Sequence, residues 1–186
     1  MRKVLVPLFH EQTSRLLEQP ESILEENHVN IGPPALDLLT LKQGIVLLWA
    51  LWITLVVVLN IFDVFKSSGR LPETWKFSSG NFWYIGQVTK IYNTPAWINW
   101  LMFLGVIVWE IFGGILLWAA LFDFNGSSYA VVDAAFVVNI ALWGAFIVMD
   151  ELFQAWAAEI GNSNAMEAHR SLFVAWLVSL MAIHLL

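Results

Sequence analysis

The stretch from Tyr129 to Ala158 reads YAVVDAAFVVNIALWGAFIVMDELFQAWAA, and it constrains the fold more than any other part of the chain. It is long enough to cross a bilayer as one helix, since a core roughly 30 Å thick needs about 20 mostly apolar residues. Within it stand Asp133, Asn139 and the adjacent acids Asp150 and Glu151. An Asp at the centre of a membrane helix costs roughly 2.5–3.5 kcal/mol on insertion scales, so such groups turn inward and find partners. The rest of the chain therefore has to supply helices that shelter and pair these side chains.

Three further apolar stretches are available. Residues 44–65 form the first expected span, which ends on Asn60 and Asp63. Residues 95–122 form the second, opened by Pro95 at a position suited to a first helical turn and carrying Glu110 near its middle. The third is 129–158, and the fourth runs over 165–186, with Arg170 near its start and His184 near its end. Gly113 and Gly114 follow Glu110 by three and four residues, on the same helix face, where small side chains let another helix approach closely.

The turns DFNGSS (123–128) and GNSN (161–164) are short, so the second, third and fourth spans are expected to be antiparallel neighbours. The connection 66–94 is long and holds Trp75, Trp83 and Tyr84; it is expected to fold over the helix ends, with a helical turn in the interface. Residues 1–43 read as a polar tail. Ser22-x-x-Glu25 matches a capping box, and Gly32-Pro33-Pro34 stops any helix there. The opening apolar run is too short and Pro-broken for a signal-peptide core. The tail is expected either to lie on the surface or to dock on a partner subunit.

Only 13% of the 186 residues are charged, against 59% apolar, whereas a soluble domain carries about 25% charged residues. The fold expected is an all-α four-helix transmembrane bundle, with no length left for a soluble enzyme domain. Several of the eleven tryptophans fall at helix ends, where amphipathic rings favour the headgroup level. The chain has no cysteine, which removes disulfides, thiolate chemistry and sulfur-ligated clusters together. Nothing in the net charge of −6 points to nucleic acid. Lys66, Arg70, Lys76, Lys90 and Arg170 outnumber Lys42 near the spans, so the positive-inside rule leans toward a cytoplasmic 66–94 connection.

At about 1.5 Å of rise per residue, Asn60, Asp63, Asp150, Glu151, Gln154 and Arg170 fall at one end of the bundle, under the 66–94 connection. Glu110 lies deeper, and Asp133 and His184 belong to the opposite end. Arg170 is expected to pair with Glu151 or Asp150, because an arginine fork matches a carboxylate bidentately and an unpaired buried charge is costly. Two readings of Asn60, Asp63, Glu110, Asp150, Glu151, Gln154 and Arg170, seven residues in all, stay open. They fix helix packing, or they line a polar pocket for an ion, a proton or a small ligand. Glu110 is likewise either a neutral, hydrogen-bonded structural group or a cation ligand.

Haem is not expected: His169 and His184 share one span, and His10 and His28 lie in the tail. The tryptophans Trp109, Trp143 and Trp176 are expected in the core, each needing a partner for its indole N–H. No zinc spacing, phosphate loop or nucleophile elbow is present. No cofactor, metal or catalytic residue is assigned.

Several short motifs recur in a fixed order. Asn60-Ile61-Phe62-Asp63 ends the first span, Asn81-Phe82-x-Tyr84-Ile85-x-Gln87-Val88 lies in the connection, Trp109-Glu110 falls in the second span, and Glu151-x-Phe153-x-x-Trp156 precedes Arg170. Together, over about residues 44–186, they resemble the bacterial "predicted small integral membrane protein" family, which has a four-helix membrane domain of unknown function. Gln87 stands where that family usually has a His, and Leu152 interrupts its Glu-Trp-Phe motif. The resemblance implies a four-helix membrane fold and no established activity. With the small size and the added tail, the expected role is a non-catalytic accessory subunit of a larger complex, respiratory or photosynthetic. Membrane lipids and other membrane subunits are then its partners, in a bacterial cell membrane or a thylakoid-type membrane. The alternative is a small transporter or channel that uses the intramembrane carboxylates.

Overall fold

The computed structural model describes residues 37–124, 128–155 and 164–186. The capping box at Ser22, the Gly-Pro-Pro stop and most of the two short turns lie outside the described residues. Five α-helices and one 3-10 turn, and no strand, occur among the described residues. They are α1 (Leu38–Ser67), α2 (Asn81–Val88), a 3-10 turn (Thr89–Tyr92), α3 (Ala96–Asp123), α4 (Ala130–Leu152) and α5 (Asn164–Leu185). Four of them, α1, α3, α4 and α5, are long and apolar enough to cross a membrane.

The helix ends follow local chemistry. Helix α1 starts six residues before the expected span, because Asp37 caps it: Oδ1 accepts from the Thr40 amide at 2.6 Å. That bond holds the Asp37 carboxyl below its ordinary pKa, as expected for an acid at a helix N-terminus. Pro95 takes the cap position of α3, one place outside the first turn. Helix α4 stops at Leu152, short of the expected 158, and Gln154 adopts the left-handed conformation at φ 48°. Gly69 and Gly80 are also left-handed, at φ 76° and 77°, a conformation that costs glycine nothing. They flank the connection and let it turn back into α2.

The outward faces are apolar like the core, unlike those of a soluble bundle, and several polar groups are buried. On α1 the inward stripe is Lys42, Val46, Trp49, Ala50, Ile53, Asn60 and Asp63. On α3 it includes Asn99 and Glu110, and on α4 Asn139 and Asp150. The outward faces carry Leu48, Leu55, Val108, Ile115 and Val148, each more than half exposed. Polar groups inside and aliphatic ones outside suit hydrocarbon as solvent. The chain is a multi-pass membrane protein.

Helix α3 packs between α1 and α4, and α4 against α5. A smaller contact joins α1 to α5: Trp49 stacks on Trp176 with centroids 4.0 Å apart, and its indole N–H donates to Ser179 Oγ at 2.9 Å. At Gly113 the α3 backbone approaches Asn139 of α4 so closely that a Cβ would stand 2.7 Å from its Oδ1. The expected role of the glycine pair is met there. Helix α2 packs against α1 and α3, with Phe82 on Trp100 and Phe103.

Candidate functional site

Asn60 and Asp63 are one turn apart on α1, so both face α2 and α3. The Asp63 carboxylate accepts from Ser79 Oγ at 3.1 Å and from the Phe82 amide at 2.9 Å. It thereby caps the N-terminus of α2, where free amides favour an anion. Asn60 Nδ2 donates to Glu110 Oε2 at 2.7 Å, while Asn60 Oδ1 accepts from Asn81 Nδ2 at 2.9 Å. One connected network thus ties α1, α2 and α3 together, with Asn60 fully buried and Glu110 only 2% exposed. Among the described residues no donor reaches the second carboxyl oxygen of Glu110.

The remaining predicted residues do not join this network. Asp150 is buried and bonded to His169 Nδ1 at 2.7 Å. Arg170 pairs with Glu151 at 3.1 Å, as the first of the two expected pairings, with both side chains more than half exposed. Gln154 is exposed in the turn after α4 and has no side-chain bond among the described residues. The seven residues expected as one network are therefore two buried clusters, an exposed ion pair and a turn residue. At the other end of the bundle, His184 Nε2 meets Asp133 Oδ1 at 2.7 Å, and Lys42 Nζ donates to the Tyr129 hydroxyl at 3.0 Å.

Sequence reasoning missed Ser79, Tyr84 and His169. The signal for His169 was present: two adjacent acids needed partners at one depth, and a single arginine satisfies only one of them. Tyr84 sits near Asp150; burial, and then the Asp150 charge, push its phenol above the ordinary value of 10.0. Of the three tryptophans expected in the core, Trp109 is 40% exposed and donates to the Val138 carbonyl at 3.0 Å. Trp143 and Trp176 are buried, and neither indole N–H has a partner among the described residues.

The two buried clusters face a common space. A cavity of about 720 Å³ lies between α1, α2, α3, α4 and α5. Glu110, Ser79 and Asn81 line one side of it and Asp150 and His169 another, with Tyr84 also in the wall. The remaining wall is apolar and aromatic, including Trp52, Trp109, Trp143 and Phe146. This volume falls in the range of small-molecule pockets, roughly 300–1,000 Å³, which combine apolar walls with a few convergent polar groups. Among the described residues no group of three or more His, Cys, Asp or Glu side chains could hold a metal ion. No family model, curated protein or solved structure matches the chain.

Proposed function

We propose that the protein is a non-catalytic, membrane-embedded binding protein for a small lipid-soluble molecule held among its helices. The observation that carries this reading is the cavity, which has two buried carboxyls in its wall, Glu110 of α3 and Asp150 of α4, and further hydrogen-bonding groups from α2 and α5. The motifs that resemble the small bacterial integral membrane proteins supply its supports: Asn60 and Asp63 hold α2 in place, and Asn81 and Glu110 complete the network. A bacterial cell membrane, or a thylakoid-type one, is the proposed location.

A second reading, an accessory subunit of a respiratory or photosynthetic complex, draws on the small size and the polar N-terminal segment. One purification distinguishes the two. The tagged chain is taken from its native membrane in mild detergent, and both bound small molecules and bound proteins are identified by mass spectrometry. One retained small molecule per chain, lost when the cavity is filled by Ala145→Trp, supports binding. Stoichiometric membrane subunits with no small molecule would move the weight to the second reading.

A further inference from the structure

Resting on the binding reading above, we propose that the cavity takes a lipophilic organic cation, with its positive centre at Glu110 and its apolar body against the tryptophans. The charge of the wall carries the inference. The ionisable groups lining the cavity are Glu110, Asp150, His169 and Tyr84, and no Lys or Arg lines it among the described residues. The two carboxyls are not equivalent. Asp150 is bonded to His169 at 2.7 Å, whereas Glu110 receives one neutral amide donor, on Oε2. Among the described residues no donor reaches its other oxygen, which leaves that oxygen for a group that enters the cavity. An anion or a strong acceptor would meet two acids and no fixed positive charge.

The walls select among cations. Trp52, Trp109 and Trp143 all line the space, and tryptophan faces attract a cation most strongly when it is desolvated. Calcium or magnesium is disfavoured, because each requires six or more oxygen ligands to replace its water. The Glu110 carboxyl and the single amide side chain in the wall, Asn81, do not supply them. An ammonium or phosphonium centre buried in hydrocarbon groups loses little hydration and fills a space of about 720 Å³ far better.

The test uses the full chain in a non-ionic detergent and three probes read by tryptophan fluorescence. Tetraphenylphosphonium and tetraphenylborate have nearly the same shape and opposite charge, and a decyl-substituted benzoquinone is neutral. Saturable binding of the phosphonium is expected, one per chain, with the borate at least about tenfold weaker. Glu110→Gln should weaken the phosphonium about tenfold or more, the effect of one charge-assisted contact, and Glu151→Gln, outside the cavity, should not. Because Glu110 also accepts from Asn60, folding of the variant is checked by melting temperature. If it fails, Trp109→Leu replaces it, with a few-fold weakening expected. Equal binding of cation and anion, or an affinity unchanged in the folded variant, overturns the cation proposal and leaves the binding reading standing. Saturable binding of the quinone alone does the same. Failure of all three probes to bind overturns both.

Discussion

Replacing Gly113 by alanine adds one methyl group at a close approach of α3 to α4, and the sign of its effect follows from opposing terms. In a helix interior, alanine is favoured over glycine by roughly 0.5–1 kcal/mol. Against this, the new Cβ would stand 2.7 Å from Asn139 Oδ1, 2.8 Å from Nδ2 and 3.0 Å from Cγ, all inside van der Waals contact. Asn139 cannot simply rotate away, since its Nδ2 donates to the Ala135 carbonyl at 2.8 Å and the residue is fully buried. Forcing it costs about 1 kcal/mol for that bond and about 1–3 kcal/mol for overpacking. The steric side wins, and a net loss of about 1–3 kcal/mol is expected.

Gly105→Ala is the matched control, because a Cβ there meets nothing within 4 Å; it should be neutral or slightly stabilising. Unfolding of detergent-solubilised protein by heat or by denaturing detergent reads both. Asn139→Ala removes the obstacle, so the double variant should recover part of the loss, with a coupling of about 0.5–3 kcal/mol. If Gly113→Ala unfolds like Gly105→Ala and shows no coupling to Asn139, the close approach of α3 and α4 is wrong.

Arg170→Gln breaks an ion pair whose members are both more than half exposed, so its cost should stay below about 1 kcal/mol, read in the same unfolding assay. The phenol of Tyr84, raised by burial and by Asp150, should ionise above pH 10 in an absorbance titration compared with Tyr84→Phe, and Asp150→Asn should bring it down. The sign for stability follows: as pH rises past about 10 the unfolded chain releases that proton first, so stability falls there and falls less in Tyr84→Phe. Deleting residues 2–36 should leave the bundle's melting temperature unchanged, and loss of any stoichiometric partner would identify the segment as a docking arm. Extending the deletion through residue 43 removes the Asp37 cap, the Lys42–Tyr129 bond and the Gln43–Phe124 carbonyl bond. That longer deletion should cost about 2–4 kcal/mol, at about 1 kcal/mol each.

The spans were legible because hydrocarbon demands long apolar runs, and that demand is local. The pairing of Arg170 with Glu151 was legible for a similar reason, since a short turn fixes the depth of both. The start of α1 was missed because Lys42 and Gln43 look like solvent-facing polar residues. Their role depends on Tyr129 and Phe124, more than 80 positions away. The cap itself was readable, since Asp37 stands immediately before an apolar run with Thr40 three residues on. Asp150 required a choice between two partners that sequence places at the same depth, Arg170 and His169, and only the rotation of α4 and α5 about their axes decides it. A polar pocket is one of the two readings that the sequence leaves open, but its place and its apolar, aromatic wall could not be read. It depends on where α2 lies, and an eight-residue helix carries little signal of its own.

The position of α2 is set by one carboxylate that sequence did identify. Asp63 accepts the Ser79 hydroxyl and the Phe82 amide, so the end of α1 caps the start of α2 and brings the connection back under the bundle. Phe82 then packs on Trp100 and Phe103, and Asn81 reaches Asn60 and, through it, Glu110. With α2 in place, Ser79, Asn81 and Tyr84 become wall residues of a space that α1, α3, α4 and α5 alone would leave without them. The carboxyls of the chain thus divide by task. Asp63 organises backbone, Asp150 is matched to His169, and Glu151 is spent on an exposed pair. Glu110 alone combines deep burial, a place in the cavity wall and an oxygen without a donor among the described residues. A membrane carboxyl in that condition is expensive to keep, and a ligand that completes its hydrogen bonding gives the fold a reason to hold it there.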